Sequence, residues 1–380
     1  MFDILIPCAT GIEAVVKRQL LQLGYPELPA VNGRIRVPDC DWEDVAMLNI
    51  FLRSGERVLV NLNRFNATTF DMLYDGVYAV DWHNYLTCES TINVVAKTVR
   101  SKLFAHHSVQ GIVKKAIVSK LADKLGQSVT EGGAVTVVEI DITDDVADIN
   151  IDTSGAGLHK RGYRTLAYSA PLKETTAAAL IDLSFWHGDK VFYDLFCGSG
   201  TLPIECCLKA LNIAPGVNRD FDYLHWDCFD RKLHDRCVER AKDGVKHRNL
   251  EVYGSDIDDK AIEIARYHAR KAGVDKYITF TKADAFNFYD NRSYGVNISN
   301  PPYGQRLGDL KQVEEIATNM GKVYKKLDNW NFYFLTPFEK FERFFGRRAD
   351  KKRPLFNAGI KCSYLSFNGA PPPKTRKNTD

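Results

Sequence analysis

The chain opens on a short apolar run at residues 2–6 and then changes period, with Ile12, Val15, Val16 and Leu20 recurring at helical spacing across residues 11–23. A strand at 33–37, a helix and a strand at 57–62 complete a small α+β unit. Helical segments follow from about residue 64, then a strand at 91–98, a long amphipathic helix at 108–125, and two strands at 134–143 and 146–153 turning at Asp144-Asp145. A loop-like linker runs to residue 171. Beyond it the pattern alternates: helix 172–186, strand 190–196, helix 201–211, strand 250–255, helix 258–272, strands 277–283 and 295–299, helix 312–327 and strand 331–336. Such alternation predicts a mostly parallel sheet with helices on both faces. Strands at 353–356 and 360–367, turning at Asn357-Ala358-Gly359, close it with an antiparallel hairpin. Residues 212–249, with Trp226, Phe229 and a charged helical stretch, interrupt the alternation and read as an insertion.

Composition narrows this picture only in part. At 380 residues and 45% hydrophobic content, two or three packed domains are expected. No apolar span is long enough for a membrane helix, and the start lacks a basic leader, so the expected home is the cytoplasm. Nine cysteines without a Cys-x-x-Cys pair read as reduced thiols, not disulfides or zinc ligands. The pattern sets no oligomeric state. Net charge is only +3, so a nucleic-acid surface has to come from local clusters. One runs through Lys97, Arg100, Lys102, His106, His107, Lys114, Lys115, Lys120 and Lys124, and a second through Lys340, Arg343, Arg347, Arg348, Lys351, Lys352 and Arg353. A solvated helix face accounts for either cluster as well as a nucleic-acid surface does.

The chemistry sits in the alternating half. The strand reaching Phe196 ends in Cys197-Gly198-Ser199-Gly200-Thr201, a glycine turn opening a helix, where a ligand can approach the backbone without meeting a Cβ. A dinucleotide fingerprint wants a third glycine three residues after Gly200, but Pro203 stands there. S-adenosylmethionine, which carries no pyrophosphate, fits better, with Asp194 near its methionine ammonium. The next strand ends at Asp256, placed for two ribose hydroxyls, and the third at Asp284, placed for an adenine amine, with Ile257 or Phe286 flanking the ring. Each acid alone reads as a loop or helix cap. Three at consecutive strand ends read as a ligand set. The candidate cofactor residues are Asp194, Phe196, Gly198, Gly200, Thr201, Asp256, Ile257, Asp284, Ala285 and Asn300.

Asn300-Pro301-Pro302-Tyr303 follows the fourth strand, at the edge where open α/β sheets bind ligands. Two prolines fix the turn and remove N–H donors, leaving carbonyls as acceptors. A conjugated amine is a poor nucleophile because its lone pair is delocalised. Accepting its two hydrogens with the Asn300 side-chain oxygen and the Pro301 carbonyl biases that lone pair toward a methyl donor, while Tyr303 stacks on the flat substrate. No strong base is needed. Asn300, Pro301, Pro302 and Tyr303 are therefore the candidate catalytic set.

These motifs resemble the amino-methyltransferase branch of the class I Rossmann-like methyltransferases, and across nearly the whole chain the THUMP-domain RNA guanine-N2 methyltransferases of bacterial 23S rRNA. The further matching segments are 158–164, 170–175 and the closing Asn357-Ala358-Gly359-Ile360-Lys361-Cys362, where an inserted alanine departs from the family's Asn-Gly. The resemblance implies a ferredoxin-like domain (1–62), an RNA-binding THUMP domain (63–155) and a Rossmann-like domain (172–369), with the loop-like linker at 156–171 and a tail (370–380) whose Pro- and Lys-rich composition reads as disordered. It also implies S-adenosylmethionine as cofactor, 23S rRNA or a large-subunit precursor as partner, and His159, Lys160, Arg161 and Arg164 near the substrate entrance. Lys173, Glu174 and Thr175 either line the cofactor pocket or pack the helix. Asn-Pro-Pro-Tyr is shared with adenine-N6 methyltransferases, so the motif specifies a planar amine, and the N-terminal half argues for RNA. The target base has to be flipped or single-stranded. Adenine-N6 methylation and a non-catalytic RNA-binding assembly factor stand as the alternatives.

Overall fold

A computed structural model of the chain describes residues 1–31, 33–166, 172–303, 309–327 and 329–371. In the first part of the chain the elements are β1 (Phe2–Pro7), α1 (Glu13–Leu23), β2 (Ala30–Val31), β3 (Arg34–Cys40), α2 (Trp42–Phe51), β4 (Leu59–Asn66), α3 (Phe70–Tyr78), β5 (Thr91–Val99), α4 (His106–Leu125), β6 (Val135–Thr143) and β7 (Val146–Asp152). Their strands form one seven-stranded sheet, ordered β2-β3-β1-β4-β7-β6-β5. The hairpin between β6 and β7 turns on Asp144 and Asp145, at φ 51° and 64°, a left-handed pair that short polar side chains tolerate. The helix α2 starts on a reciprocal cap in which the Asp41 side chain accepts from the backbone of Asp44 while Asp44 accepts from that of Asp41. A fully buried set including Trp82, Val109, Val113, Ile117, Val138, Ile140 and Ile149 packs α3 and α4 on the sheet.

The remaining elements are α5 (Glu174–Asp182), β8 (Phe192–Asp194), α6 (Thr201–Ala210), α7 (Arg231–Asp243), β9 (Val252–Asp256), α8 (Asp259–Lys271), β10 (Ile278–Lys282), β11 (Val296–Ser299), α9 (Asp309–Lys326), β12 (Asn331–Thr336), α10 (Phe341–Phe345), β13 (Lys351–Asn357) and β14 (Ile360–Phe367). A second seven-stranded sheet runs β10-β9-β8-β11-β12-β14-β13, parallel from β10 through β12 and antiparallel at β14 and β13. Strand order therefore reverses between β8 and β11, the place where doubly wound sheets open a crevice. Phe332, Phe334, Phe341, Phe345 and Phe367 form an aromatic core beneath α9 and α10. The fold is thus the expected α/β sheet with a closing hairpin, preceded by α+β structure.

Compact packing groups Met1–Cys8, Leu20–Leu158 and Gly216–Ala241 in one unit and Ala9–Gln19, His159–Pro215 and Lys242–Asp380 in another. Most of the inserted segment, Gly216–Ala241, thus belongs with the first sheet, where Trp226 and Phe229 pack edge-on against Trp42 with ring centroids 6.1 Å away. Several elements differ from the periodic reading. The helix expected over 172–186 ends at Asp182, because the Ser184 hydroxyl bonds the Ile181 carbonyl and accepts from Trp186, turning the chain. The strand expected over 190–196 keeps only Phe192–Asp194, the rest being spent on the glycine turn. The short α10 lies inside the second basic cluster and had no helical signal beyond its phenylalanines. Most of the tail expected to be disordered, and part of the 170–175 match, lie outside the described residues. No described helix is long and apolar enough to cross a membrane.

Candidate active site

Parallel register brings the motifs together. Asp194 pairs with Gly254, Lys282 with Asp256, and Asn297 with Tyr193, so β8, β9, β10 and β11 all end on one edge. The four loops leaving that edge carry Phe196 to Gly198, Ile257, Ala283 to Phe286, and Asn300 to Tyr303. They surround a cavity of about 790 Å³, to which Leu172, Gln312, Glu315, Ile316 and the turn residues Asn357 and Ala358 add further wall.

The glycine turn is bolted to the neighbouring strand. Cys197 donates its backbone N–H to the Ser255 carbonyl at 2.9 Å, and Gly198, at φ 49°, donates to Asp256 Oδ2 at 2.9 Å. Asp256 Oδ1 also accepts from the Asp258 backbone at 3.1 Å. The carboxylate that faces the cavity is thereby fixed in orientation before any ligand arrives. Asp194 is buried, accepts from the Phe196 N–H at 3.1 Å, and has its carboxyl pushed up to about 7 by desolvation, against the pull of that hydrogen bond. Asp284 caps the turn that follows it, accepting from the Phe286 N–H at 2.9 Å. Beside it Ile257 leaves 70% of its surface exposed on the cavity wall, an apolar plate. Buried acid, fixed carboxylates and bare aliphatic wall suit a ligand with a cationic end, a diol and an aromatic ring.

Of the candidate cofactor residues, Gly200 is the one that does not line the cavity. It sits at φ 84°, and a Cβ there would come within 3.0 Å of Ala265 Cβ and Phe280 Cζ. Its requirement is close packing of the turn on α8 and β10, not approach to a ligand. Phe196, Gly198, Thr201, Asp256, Ile257, Asp284, Ala285 and Asn300 all stand in the wall with Asp194.

At the fourth loop Pro301 is buried and Pro302 exposed, and Tyr303 folds back so that its hydroxyl donates to Asn300 Oδ1 at 2.6 Å. The Asn357 side chain donates to the same hydroxyl at 2.9 Å. Burial holds the Tyr303 phenol above its ordinary pKa, so it stays protonated and able to donate. Sequence reasoning left the role of the closing hairpin open and did not reach Leu172, Gln312, Glu315 or Ile316. The apolar period of α9 marked which face is buried, but periodicity carries no sign of a cavity at a helix's first turns.

The cationic segment 159–164 divides. Arg161 is buried 3.5 Å from the carboxylate of Glu205, to which the Tyr163 hydroxyl also donates. Arg164 bonds the Leu172 carbonyl at 2.8 Å and lies 3.3 Å from Glu174, itself buried and pushed up to about 7 by desolvation despite that cation. The expectation that these two arginines face RNA gives way to an internal role, since both are spent on buried acids. Lys160 is exposed and His159 partly so. Nearby, buried His268 accepts from the Leu166 N–H through Nε2 and donates through Nδ1 to the Ser199 carbonyl at 3.1 Å. That ties the segment to the glycine turn. Glu174 and Thr175 are likewise buried, within α5.

Some cations of the basic clusters are also answered by acids. Lys97 pairs with Glu139, Arg100 with Asp144 and Lys114 with Glu131, while Arg347 pairs with Asp350 and Lys352 with Glu342. Lys102, Phe104 and His107 stay exposed, Phe104 at 76%.

Three family models match the chain: an RlmL ferredoxin-like domain over residues 3–59, a THUMP domain over 67–152, and an RMKL-like methyltransferase domain over 161–366. YpsC of Bacillus subtilis, named a candidate RNA methyltransferase, is 39% identical over 380 residues, covering 99% of this chain and 98% of that protein. The ribosomal RNA large subunit methyltransferase K/L of Pseudomonas entomophila is 31% identical across 97% of this chain but 53% of its own length, so the chain spans about half of that relative. Among solved structures, SMU.472, a candidate methyltransferase complexed with SAH, superposes with a TM-score of 0.89 at 41% identity, covering 97% of this chain and 98% of that one. A Listeria monocytogenes protein titled a predicted N6-adenine-specific DNA methylase gives 0.89 at 40% identity, covering 97% and 96%.

Proposed function

Since the chain belongs to the RMKL-like methyltransferase family, we propose that it is an RNA methyltransferase that uses S-adenosylmethionine to methylate the exocyclic N2 of a guanine in 23S rRNA. The observation that carries this reading is the single cavity shared by Asp194, Asp256 and Asp284 at three strand ends and by Asn300 and Pro301 at the fourth. When bound, the cofactor supplies a methyl group on a cationic sulfur. In this reading Asp194 holds its ammonium, Asp256 its ribose hydroxyls and Asp284 its adenine amine, with Ile257 and Phe286 against the ring. Asn300 Oδ1 and the Pro301 carbonyl accept the two hydrogens of the target amine, drawing its lone pair out of conjugation, and Tyr303 holds the base by stacking. Glu315, in the cavity wall on α9, is a carboxylate that can accept from the N1–H that guanine carries and adenine lacks. The THUMP domain brings the RNA, and Lys160 and His159 remain the candidate contacts from the linker. We keep 1–62, 63–155 and 172–369 as the limits of the three domains, with 156–171 as the linker and with Gly216–Ala241, inside the third by sequence, grouped with the first compact unit.

The likeness to ribosomal RNA large-subunit enzymes favours rRNA, while the Listeria neighbour's title keeps the adenine alternative in view. Mass spectrometry of rRNA digests from cells with and without the chain tests both: a lost N2-methylguanosine supports the proposal, and a lost N6-methyladenosine replaces it. Labelled-methyl incorporation into unmodified rRNA by the purified chain is expected well above background. No incorporation would leave an RNA-binding assembly factor, and incorporation into duplex DNA alone would point to the DNA reading.

A further inference from the structure

We propose that Asn357 is a positioning residue for methyl transfer: its amide donates to the Tyr303 phenol, which donates to Asn300 Oδ1, fixing the Asn300 amide so that its oxygen keeps one lone pair for the substrate amine. The inference rests on the proposed role of Asn300 and goes beyond it, since it gives the closing hairpin a part in the chemistry.

The argument turns on hydrogen count. A phenol has one hydrogen to donate, and an amide side chain offers an oxygen and an NH2 of nearly the same shape. Left alone, Tyr303 could donate to the Asn300 oxygen or accept from its nitrogen, and the amide could take either orientation. The Cys362 thiol also meets that hydroxyl, and Asn357, with its amide nitrogen turned to the phenol, sets the direction. Its Nδ2 donates to the Tyr303 oxygen at 2.9 Å, leaving the phenol's hydrogen for Asn300 Oδ1 at 2.6 Å. The Asn300 oxygen has two lone pairs, one taken by Tyr303 and one left for an N–H of the substrate.

The hairpin makes Asn357 a rigid donor. It is the last residue of β13, paired across to Ile360, and only 8% exposed. The turn between them consists of Ala358 at φ 49° and Gly359 at φ 80°. Glycine and asparagine take that first position more cheaply than alanine, so the inserted Ala358 accepts a backbone cost while Asn357 stays on the strand, facing the cavity.

The test uses the full chain, deproteinised large-subunit rRNA from cells lacking it, and AdoHcy as the binding probe. Asn357→Ala and Tyr303→Phe are each expected to lower kcat about tenfold, the net worth of one hydrogen bond, with RNA KM and AdoHcy Kd within about twofold. The double variant should be no slower than Tyr303→Phe, because both break the same relay. The near-isosteric Asn357→Asp, which accepts the phenol hydrogen and reverses the relay, should lose at least as much while keeping the wild-type melting temperature. Wild-type turnover in Asn357→Asp, a double variant about a hundredfold down, or AdoHcy affinity falling in step with kcat would each overturn the proposal. Isotope-labelled protein gives a readout independent of the RNA: the Asn300 side-chain amide resonances should shift in Asn357→Asp and in Tyr303→Phe, and unmoved resonances overturn the relay. Failure of the wild-type chain to methylate that RNA, with the resonances shifting as expected, would count against the guanine assignment alone.

Discussion

Asp152 in the first sheet and Asp194 in the second are both buried carboxyls near a strand's end, and their surroundings are opposites. Asp152 lies against the Arg57 guanidinium and accepts from Ser154, and its carboxyl sits at about 6 because burial outweighs that cation. Asp194 has no cation among the causes acting on it, and sits at about 7. The contrast extends to their neighbours. In the first sheet Arg34 bridges Glu139 and Asp141, and Arg36 bridges Asp3 and Asp148. In the second, Asp256 and Asp284 are held by backbone N–H groups and turned toward a cavity. A buried acid matched by a protein cation serves the fold, whereas Asp194, Asp256 and Asp284, oriented by hydrogen bonds without a cation, line the cavity with their charge unanswered by a protein cation among the described residues.

The largest expected effect lies on the ligand side: Asn300→Ala should cut methyl incorporation by about 10²–10³-fold, as loss of a polar group aimed at the reacting centre does. AdoHcy titration should show affinity nearly unchanged, and intact turnover would break the site side of the contrast. On the fold side, Arg57→Ala strands Asp152 without its cation. A loss of about 2–3 kcal/mol is expected in denaturant unfolding, below the range for fully buried pairs because Arg57 is 36% exposed, with AdoHcy affinity untouched. Asp256→Ala removes a charged acceptor for a diol together with the anchor of the Gly198 N–H. Calorimetry should record AdoHcy binding weakened by about 10–10²-fold with little change in the melting of the unliganded chain.

Asp194→Asn sharpens the contrast through pH. The folded carboxyl binds its proton up to about 7 and the unfolded one only to about 4, so the native state holds the extra proton between those values and loses stability as pH rises through that window. The substitution should therefore raise the melting temperature of the unliganded chain at pH 8, by the equivalent of about 1–2 kcal/mol, with the gain fading toward pH 4. AdoHcy binding should weaken at pH 8, where the ammonium loses its anion. A stabilisation that is flat with pH would show that desolvation of the carboxylate is not the cause. The smallest effect is Ala358→Gly, which relieves a left-handed alanine and should stabilise by up to about 1 kcal/mol in thermal melts, without moving Asn357.

Much of this was readable because it is local. The 3.6-residue period of Ile12, Val15, Val16 and Leu20 marked α1, and Asp144-Asp145 marked the turn between β6 and β7. Gly198, Asp256, Asp284 and Asn300 were legible because a doubly wound sheet sends successive strand ends to one edge, so each motif's place along the chain fixed its place in space. The readings that shifted involve partners distant in sequence. Arg161 and Arg164 looked like RNA contacts until Glu205 and Glu174 were found beneath them, and Gly200 looked like a ligand contact until Ala265 and Phe280 were found against it. Nothing in a run of cations says which of them will be buried.

Sequence by itself determined the order of elements, the motifs that meet at the sheet's edge and the family they belong to, because periodicity, glycine turns and proline pairs act over a few bonds. Tertiary structure alone decided that the inserted Trp226 and Phe229 join the first sheet's unit, and that the hairpin's Asn357 reaches Tyr303 from 54 residues away. Such contacts depend on how whole surfaces pack, and the free energy that selects them is summed over many side chains at once rather than written at any one position.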